Sequence, residues 1–181
     1  MTEYIITTER LGLRNWHAND LTIFAEMSQD PEVMEFFPNL LSKEDCIGFI
    51  KRMQSHFQKF GYCYFALDLL ETGEFIGFTG MLNQTYVSHF TPCVDIGWRL
   101  KRTAWGKGYA TEAAKSCLNF AINKLNIKGV YSLASIPNVN SISIMKKIGM
   151  EYHSYFQHPA LLKNNFLKDC AVYHKQIKEI E

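Results

Sequence analysis

Between Tyr109 and Leu125, the residues Ala110, Ala113, Ala114, Cys117, Leu118, Ala121 and Leu125 recur at i, i+3, i+4 spacing and form one apolar stripe. Small side chains dominate it, so the helix must pack closely against a partner. The short apolar runs on either side, Val94 to Leu100 and Val130 to Ile136, supply strands that complete a β-α-β unit. A chain built around such a unit is committed to a sheet containing a parallel pair, with the long helix covering one face.

The remaining patterns fit around that unit. Leu11 and Leu13 alternate with Gly12 and Arg14 as in a half-buried first strand. Asn19 or Asp20 is placed to cap a helix carrying Leu21, Phe24, Ala25 and Met27. Ser42 opens another, with Cys46, Ile47, Phe49, Ile50, Met53 and Phe57 at helical spacing and Gly61 at its end. Tyr62 to Leu70 and Phe75 to Leu82, joined by a turn around Gly73, read as an antiparallel hairpin. After the β-α-β unit, Ser141 to Ile148 reads as a short helix stopped by Gly149, and Met150 to Phe156 and Cys170 to Ile177 as two last strands. The predicted order is β-α-α-β-β-β-α-β-α-β-β, an α/β (α+β) mixed sheet. With 181 residues and no compositional seam, one domain over 1–181 is expected.

Charge excludes some functions. Nineteen Lys and Arg against eighteen Asp and Glu leave a net charge of +1, so no overall field draws the protein to nucleic acid or an anionic membrane. Any anionic ligand must be met locally. The five cysteines are scattered without C-x-x-C or zinc-finger spacing and read as reduced thiols, with no metal site implied. The N-terminus lacks a basic stretch before an apolar run, and no apolar run approaches the ~20 residues of a membrane span. A cytoplasmic location is the expectation.

Local chemistry concentrates in Trp105-Gly106-Lys107-Gly108-Tyr109-Ala110-Thr111, between a strand and the N-terminus of the long helix. Glycines let backbone N–H groups converge on an anion while the helix dipole faces the same point. Lys107, with Arg99, Lys101 and Arg102 near it in sequence, adds a cationic cluster. A tight turn with solvated lysines is the plainer reading. The dinucleotide fingerprint and the P-loop are both excluded, because Thr111 replaces the third glycine of G-x-G-x-x-G and no G-x-x-x-x-G-K-[ST] occurs.

The loop resembles the acyl-CoA pyrophosphate loop of GNAT acetyltransferases, Arg or Gln, two residues, Gly, one residue, Gly or Ala, read here as Trp105, Gly108 and Ala110. Trp105 departs from the strict first position but is similar to the spelling of the RimJ/RimL-like branch. Asn138-Val139-Asn140-Ser141 followed by Lys147-Ile148-Gly149-Met150 resembles a second block of that branch, and TTERLGLRNW and DPEVMEFFP look like the same branch. The resemblance implies about seven mostly antiparallel strands flanked by about four helices. It also implies acetyl-CoA as donor, a primary amine on a small molecule or peptide as acceptor, and a monomer or homodimer.

Roles follow from the resemblance. Gly97 and Trp98 occupy the strand whose bulge offers an N–H to the acetyl carbonyl. Gly97, Trp98, Arg99 and Leu100, the loop from Trp105 to Thr111, and Asn138, Ser141 and Lys147 are the implied acetyl-CoA contacts. A glycine inside a strand is independently a bulge signal, or an ordinary packing glycine. Asp95 stands where relatives carry an acid, as proton acceptor or as anchor for the amine. Met145 replaces the usual acid Tyr, leaving Ser141 or Asn138 to approach the sulfur, unless Ser141 is only a helix cap. Phe36, Phe37 and His158 are implied acceptor-lining residues, although a surface role suits His158 and core packing Phe36. Neither Cys93 nor Cys117 has the pattern of an activated nucleophile. A non-catalytic acyl-CoA-binding module is the alternative reading.

Overall fold

The structure, a computed structural model, describes residues 3–164 and 166–177; Met1 and Thr2 of the N-terminal reading lie outside them. Twelve elements run in the order β1 Ile6–Thr7, β2 Leu11–Arg14, α1 Leu21–Gln29, α2 Lys43–Phe60, β3 Tyr64–Leu69, β4 Phe75–Gln84, β5 Cys93–Leu100, α3 Tyr109–Leu125, β6 Gly129–Ser135, α4 Val139–Lys147, β7 Glu151–Gln157 and β8 Asp169–Gln176. The eight strands form one sheet in the order β1-β2-β3-β4-β5-β6-β8-β7. Every described pairing is antiparallel except β5 with β6, the pair that α3 connects.

The predicted order stands, with the two-residue β1 added. It pairs with β2 as Ile6↔Leu13, and two residues are too few to show an alternating pattern. Ser42 caps α2, its Oγ accepting from the Asp45 N–H at 3.1 Å, and Gly61 ends it at φ 77°. Asp20 makes no side-chain cap at the start of α1 because its carboxylate accepts from Arg14 Nη1 and Nη2, each at 2.8 Å.

Two apolar layers sandwich the sheet. On one face Phe78 of β4 meets Phe24 of α1 at 6.1 Å and Phe49 of α2 at 5.2 Å, with Trp16 in the same cluster. On the other, Phe65 of β3, whose register partner is Thr79, meets Phe120 of α3 at 6.3 Å. The stripe of α3 is buried as its periodicity required: Ala113, Ala114, Cys117 and Ala121 are inaccessible. Because strand residues alternate faces, the pairs Phe78↔Arg99, Gly80↔Gly97 and Leu82↔Asp95 put Asp95, Gly97 and Arg99 on the α1/α2 side, with Trp98 on the α3 side.

Candidate active site

The parallel pair β5 and β6 is joined by a single register contact, Asp95↔Tyr131, and beyond it no further register pair joins them toward their C-terminal ends. Both helices that follow these strands, α3 and α4, therefore begin at the open end of the gap, the place where open α/β sheets bind ligands. No bulge makes this opening. The β4–β5 register runs unbroken from Gly77↔Leu100 to Gln84↔Cys93, so the expected bulge at Gly97 is absent and the splay lies wholly on the β6 side.

Backbone parity identifies the groups that line the gap. In a strand, the N–H and C=O of one residue point to the same edge, and alternate residues share an edge. The Ile96 carbonyl accepts from Ser132 Oγ at 2.9 Å and the Leu100 carbonyl from Trp105 Nε1 at 2.8 Å, both away from β4. The Lys101 N–H donates to Ile76 O and the Gly97 carbonyl accepts from Thr79 Oγ1, both toward β4. Trp98 between them must face the gap with both N–H and C=O, and it has no register partner on β6. Of the two residues assigned to the acetyl carbonyl, Trp98 has the donor in position and Gly97 does not. Gly97 serves differently, since a Cβ there would lie 3.3 Å from the Tyr64 ring, which covers it.

At the open end, the loop before α3 has the backbone that an anion site needs. Gly106 and Gly108 take φ of 74° and 80°, and α3 has no side-chain N-cap. The first helical bond is Glu112 N–H to Gly108 O, so the N–H groups of Tyr109, Ala110 and Thr111 face outward with the helix dipole behind them. The cationic cluster is corrected. Lys101 pairs with Glu74, Arg102 pairs with Glu32, and the Arg99 side chain lies on the opposite face against Phe37 and Phe78; Lys107 alone stays beside the loop. A brace that the sequence reading missed holds the loop. Arg10 Nε donates to Glu112 at 2.7 Å and Nη1 donates to the Lys107 carbonyl at 3.1 Å.

On α4, Asn138 Oδ1 accepts from the Ser141 N–H at 3.1 Å, so Asn138 is the cap and Ser141 is not. That leaves the Ser141 hydroxyl, in the first turn of α4, without a capping role. Lys147 is exposed in the last turn of α4, at the far end from the gap, and its assignment to the donor lacks support in this placement. Met145, in place of the usual Tyr, is buried in the core.

Asp95 lies at the narrow end of the gap, where Tyr64 OH donates to its two oxygens at 2.7 and 2.8 Å. Burial pushes its carboxyl up to about 6, against hydrogen bonds from Tyr64, Gln84 and the Leu82 backbone that favour the charged form. Tyr64 escaped the sequence reading because it is 31 residues away and arrives only through the β3–β4–β5 register. Around this carboxylate, Tyr86 stacks with Phe156 at 6.0 Å and packs on His158 at 4.8 Å. Burial lowers the pKa of His158, whose Nδ1 accepts from the Ala160 N–H, so it joins the wall as a neutral ring. Phe36 stacks on Phe166 at 6.0 Å and Phe37 covers Arg99 at 3.8 Å.

Residues 10–151 match the acetyltransferase (GNAT) domain family. The protein YkkB of Bacillus subtilis is 30% identical over 148 residues, covering 81% of this chain and 85% of its own. A GNAT-family acetyltransferase from Bacillus anthracis superposes with a TM-score of 0.79 at 24% identity, over 94% of this chain and 97% of that one. RimL, a ribosomal L7/L12 α-N-protein acetyltransferase solved with coenzyme A, superposes with a TM-score of 0.79 at 14% identity, over 98% of this chain and all of its own. A parallel pair left unpaired beyond one register contact, flanked by the uncapped N-terminus of α3 and the Asn138-capped start of α4, is thus found in a chain that belongs to the GNAT acetyltransferase family.

Proposed function

We propose that this protein moves the acetyl group of acetyl-CoA onto a primary amine by direct attack, with both substrates bound at once in a single domain spanning its 181 residues. The observation that carries this reading is the Trp98 backbone, whose N–H faces the β5–β6 gap on the edge where it has no register partner, three residues from a half-buried carboxylate whose pKa is raised to about 6. The pyrophosphate of the donor fits the Tyr109, Ala110 and Thr111 N–H groups, and its pantetheine arm fits the gap. The Trp98 N–H is aimed at the carbonyl oxygen that gains charge as the amine adds. The amine nitrogen bonds to the carbonyl carbon and passes its proton to Asp95, directly or through water. The carbon–sulfur bond breaks, and the thiolate takes a proton from Ser141 or from water that it holds. The products are an amide and free CoA.

Direct attack is favoured over an acetyl-enzyme because the thiols near the site are suppressed. Burial pushes Cys93 up to about 11 and Cys117 higher still, the reverse of an activated nucleophile. The loop spelling and the Asn138 to Met150 block favour the RimJ/RimL-like branch, and we place the protein in the cytoplasm as a monomer or homodimer. No described helix is long and apolar enough to cross a membrane.

Thiol release from acetyl-CoA over a panel of primary amines and peptides tests the reaction. Asp95→Asn should lower turnover by ~10²–10⁴-fold with acetyl-CoA affinity intact, and a loss under about threefold would remove Asp95 as the base. Gly108→Val should instead weaken acetyl-CoA binding, since a β-branched residue is strained at φ 80° and its side chain crowds the phosphate.

A further inference from the structure

Arg99 is a buried cation without a counter-ion. It is 9% exposed, and its Nε and Nη1 have no hydrogen-bond partner. Two rings hold it: its Cζ lies 3.8 Å from the centroid of Phe37 and 5.3 Å from that of Phe78. Cation–π contacts steady the charge but give the N–H donors no acceptor. The polar groups that act on it, Cys46 and Tyr64, are both held neutral by burial. Arg102 and Lys101 nearby in sequence have carboxylates of their own. An unpaired charge is expensive to bury, so its persistence here calls for a ligand that pairs with it.

We propose that Arg99 receives an anionic group, carboxylate or phosphate, carried by the acceptor, so that the acceptor class is an amine bearing an anion. The proposal rests on the reading above that the amine reaches Asp95. Asp95 and Arg99 share the α1/α2 face of β5, four residues or about 13 Å apart between Cα atoms. Between them Tyr64 and Phe78 stack at 5.6 Å, with the half-buried Tyr64 placing its hydroxyl on Asp95 and the Phe78 ring, buried under Phe24 and Phe49, backing Arg99. An extended molecule running along the half-buried Tyr64 presents its amine to Asp95 at one end and its anion to the remaining exposed edge of Arg99 at the other. The donor's pyrophosphate cannot be this anion, because its loop lies on the α3 side of the sheet. A polyamine is disfavoured, since a second cation would meet Arg99 across a low-dielectric wall. The flat guanidinium suits either carboxylate or phosphate oxygens.

The test compares 4-aminobutanoate, 6-aminohexanoate and 8-aminooctanoate with their carboxamides, and with 6-aminohexyl phosphate, by thiol release from acetyl-CoA. At the best-fitting length the anion should exceed its neutral partner by about 30-fold or more in kcat/KM. Arg99→Met should abolish that difference and Arg99→Lys should restore part of it. A preference for the phosphate over the carboxylate names phosphate as the natural group, and the converse names carboxylate. If wild type turns over carboxylates and carboxamides equally at every length, the Arg99 proposal is overturned while acetyl transfer stands. If no amine is turned over, acetyl transfer fails by itself, and thermal melting with CoA and each 6-carbon probe decides Arg99. Protection by 6-aminohexanoate or 6-aminohexyl phosphate, but not by the carboxamide, in wild type and its loss in Arg99→Met supports the site; equal protection of both proteins, or none, overturns it.

Discussion

Two arginines are buried in this sheet, and they are buried in opposite ways. Arg14, 5% exposed, donates from Nε and Nη2 to Asp68 at 2.7 and 2.9 Å and from Nη1 and Nη2 to Asp20 at 2.8 Å. Burial works against its charge, but the hydrogen bonds to Asp20 and Asp68 outweigh it and hold the guanidinium more basic than usual. Arg99 has no carboxylate, and burial pulls it down to about 10. One network is closed within the chain and fixes β2 and β3 to the start of α1. The other is open, and it is open on the face that leads to Asp95. A completed network and an incomplete one in the same sheet separate a structural charge from one placed for a ligand.

That contrast can be broken by substitution. The largest effect should come from Arg14→Met, which strands Asp20 and Asp68, 4% and 2% exposed, without their cation. Urea unfolding at pH 7 should show a loss of ~3–5 kcal/mol. Arg99→Met should move the other way, gaining ~1–3 kcal/mol by removing a buried charge that nothing pairs. A loss for Arg99→Met comparable to that of Arg14→Met would show that Arg99 is structural and erase the distinction. Smaller effects separate the two residues at the start of α4. Asn138→Ala removes the cap and should cost about 1 kcal/mol. Ser141→Ala should cost under ~0.5 kcal/mol, yet slow the chemical step if its hydroxyl supplies the proton.

The parts of this site that were legible in the sequence are those made by neighbours in sequence. The α3 stripe, the Gly106–Gly108 loop and the caps at Ser42 and Gly61 follow from local periodicity and backbone preference. What was not legible depends on register. Tyr64 meets Asp95 across two strand pairings, and Arg10 meets Glu112 over 102 residues, so no spacing rule reveals either. Arg99 shows a subtler failure. Nearness to Lys107 in sequence suggested the pyrophosphate loop, while strand alternation, visible in the same residues, puts it on the opposite face with Asp95 and Gly97. The bulge expected at Gly97 failed for a related reason: a glycine in a strand marks a close approach, and here the approaching group is the Tyr64 ring.

The pH dependence of kcat/KM for thiol release bears most directly on acetyl transfer at Asp95. Burial places its carboxyl at about 6 in the folded protein, well above the ~3.9 of an unfolded aspartate. The base is then present only above that value, and the rate should climb about tenfold per pH unit below it and lose that limb above it. The linked stability runs the opposite way, being fully present below the unfolded pKa and lost as pH rises through about 6, so Asp95→Asn should gain stability over wild type at pH 8. A limb near pH 6 in wild type, absent from Asp95→Asn while any limb set by the amine persists in both, is the expected result. Superimposable profiles for the two proteins would contradict Asp95 as the proton acceptor.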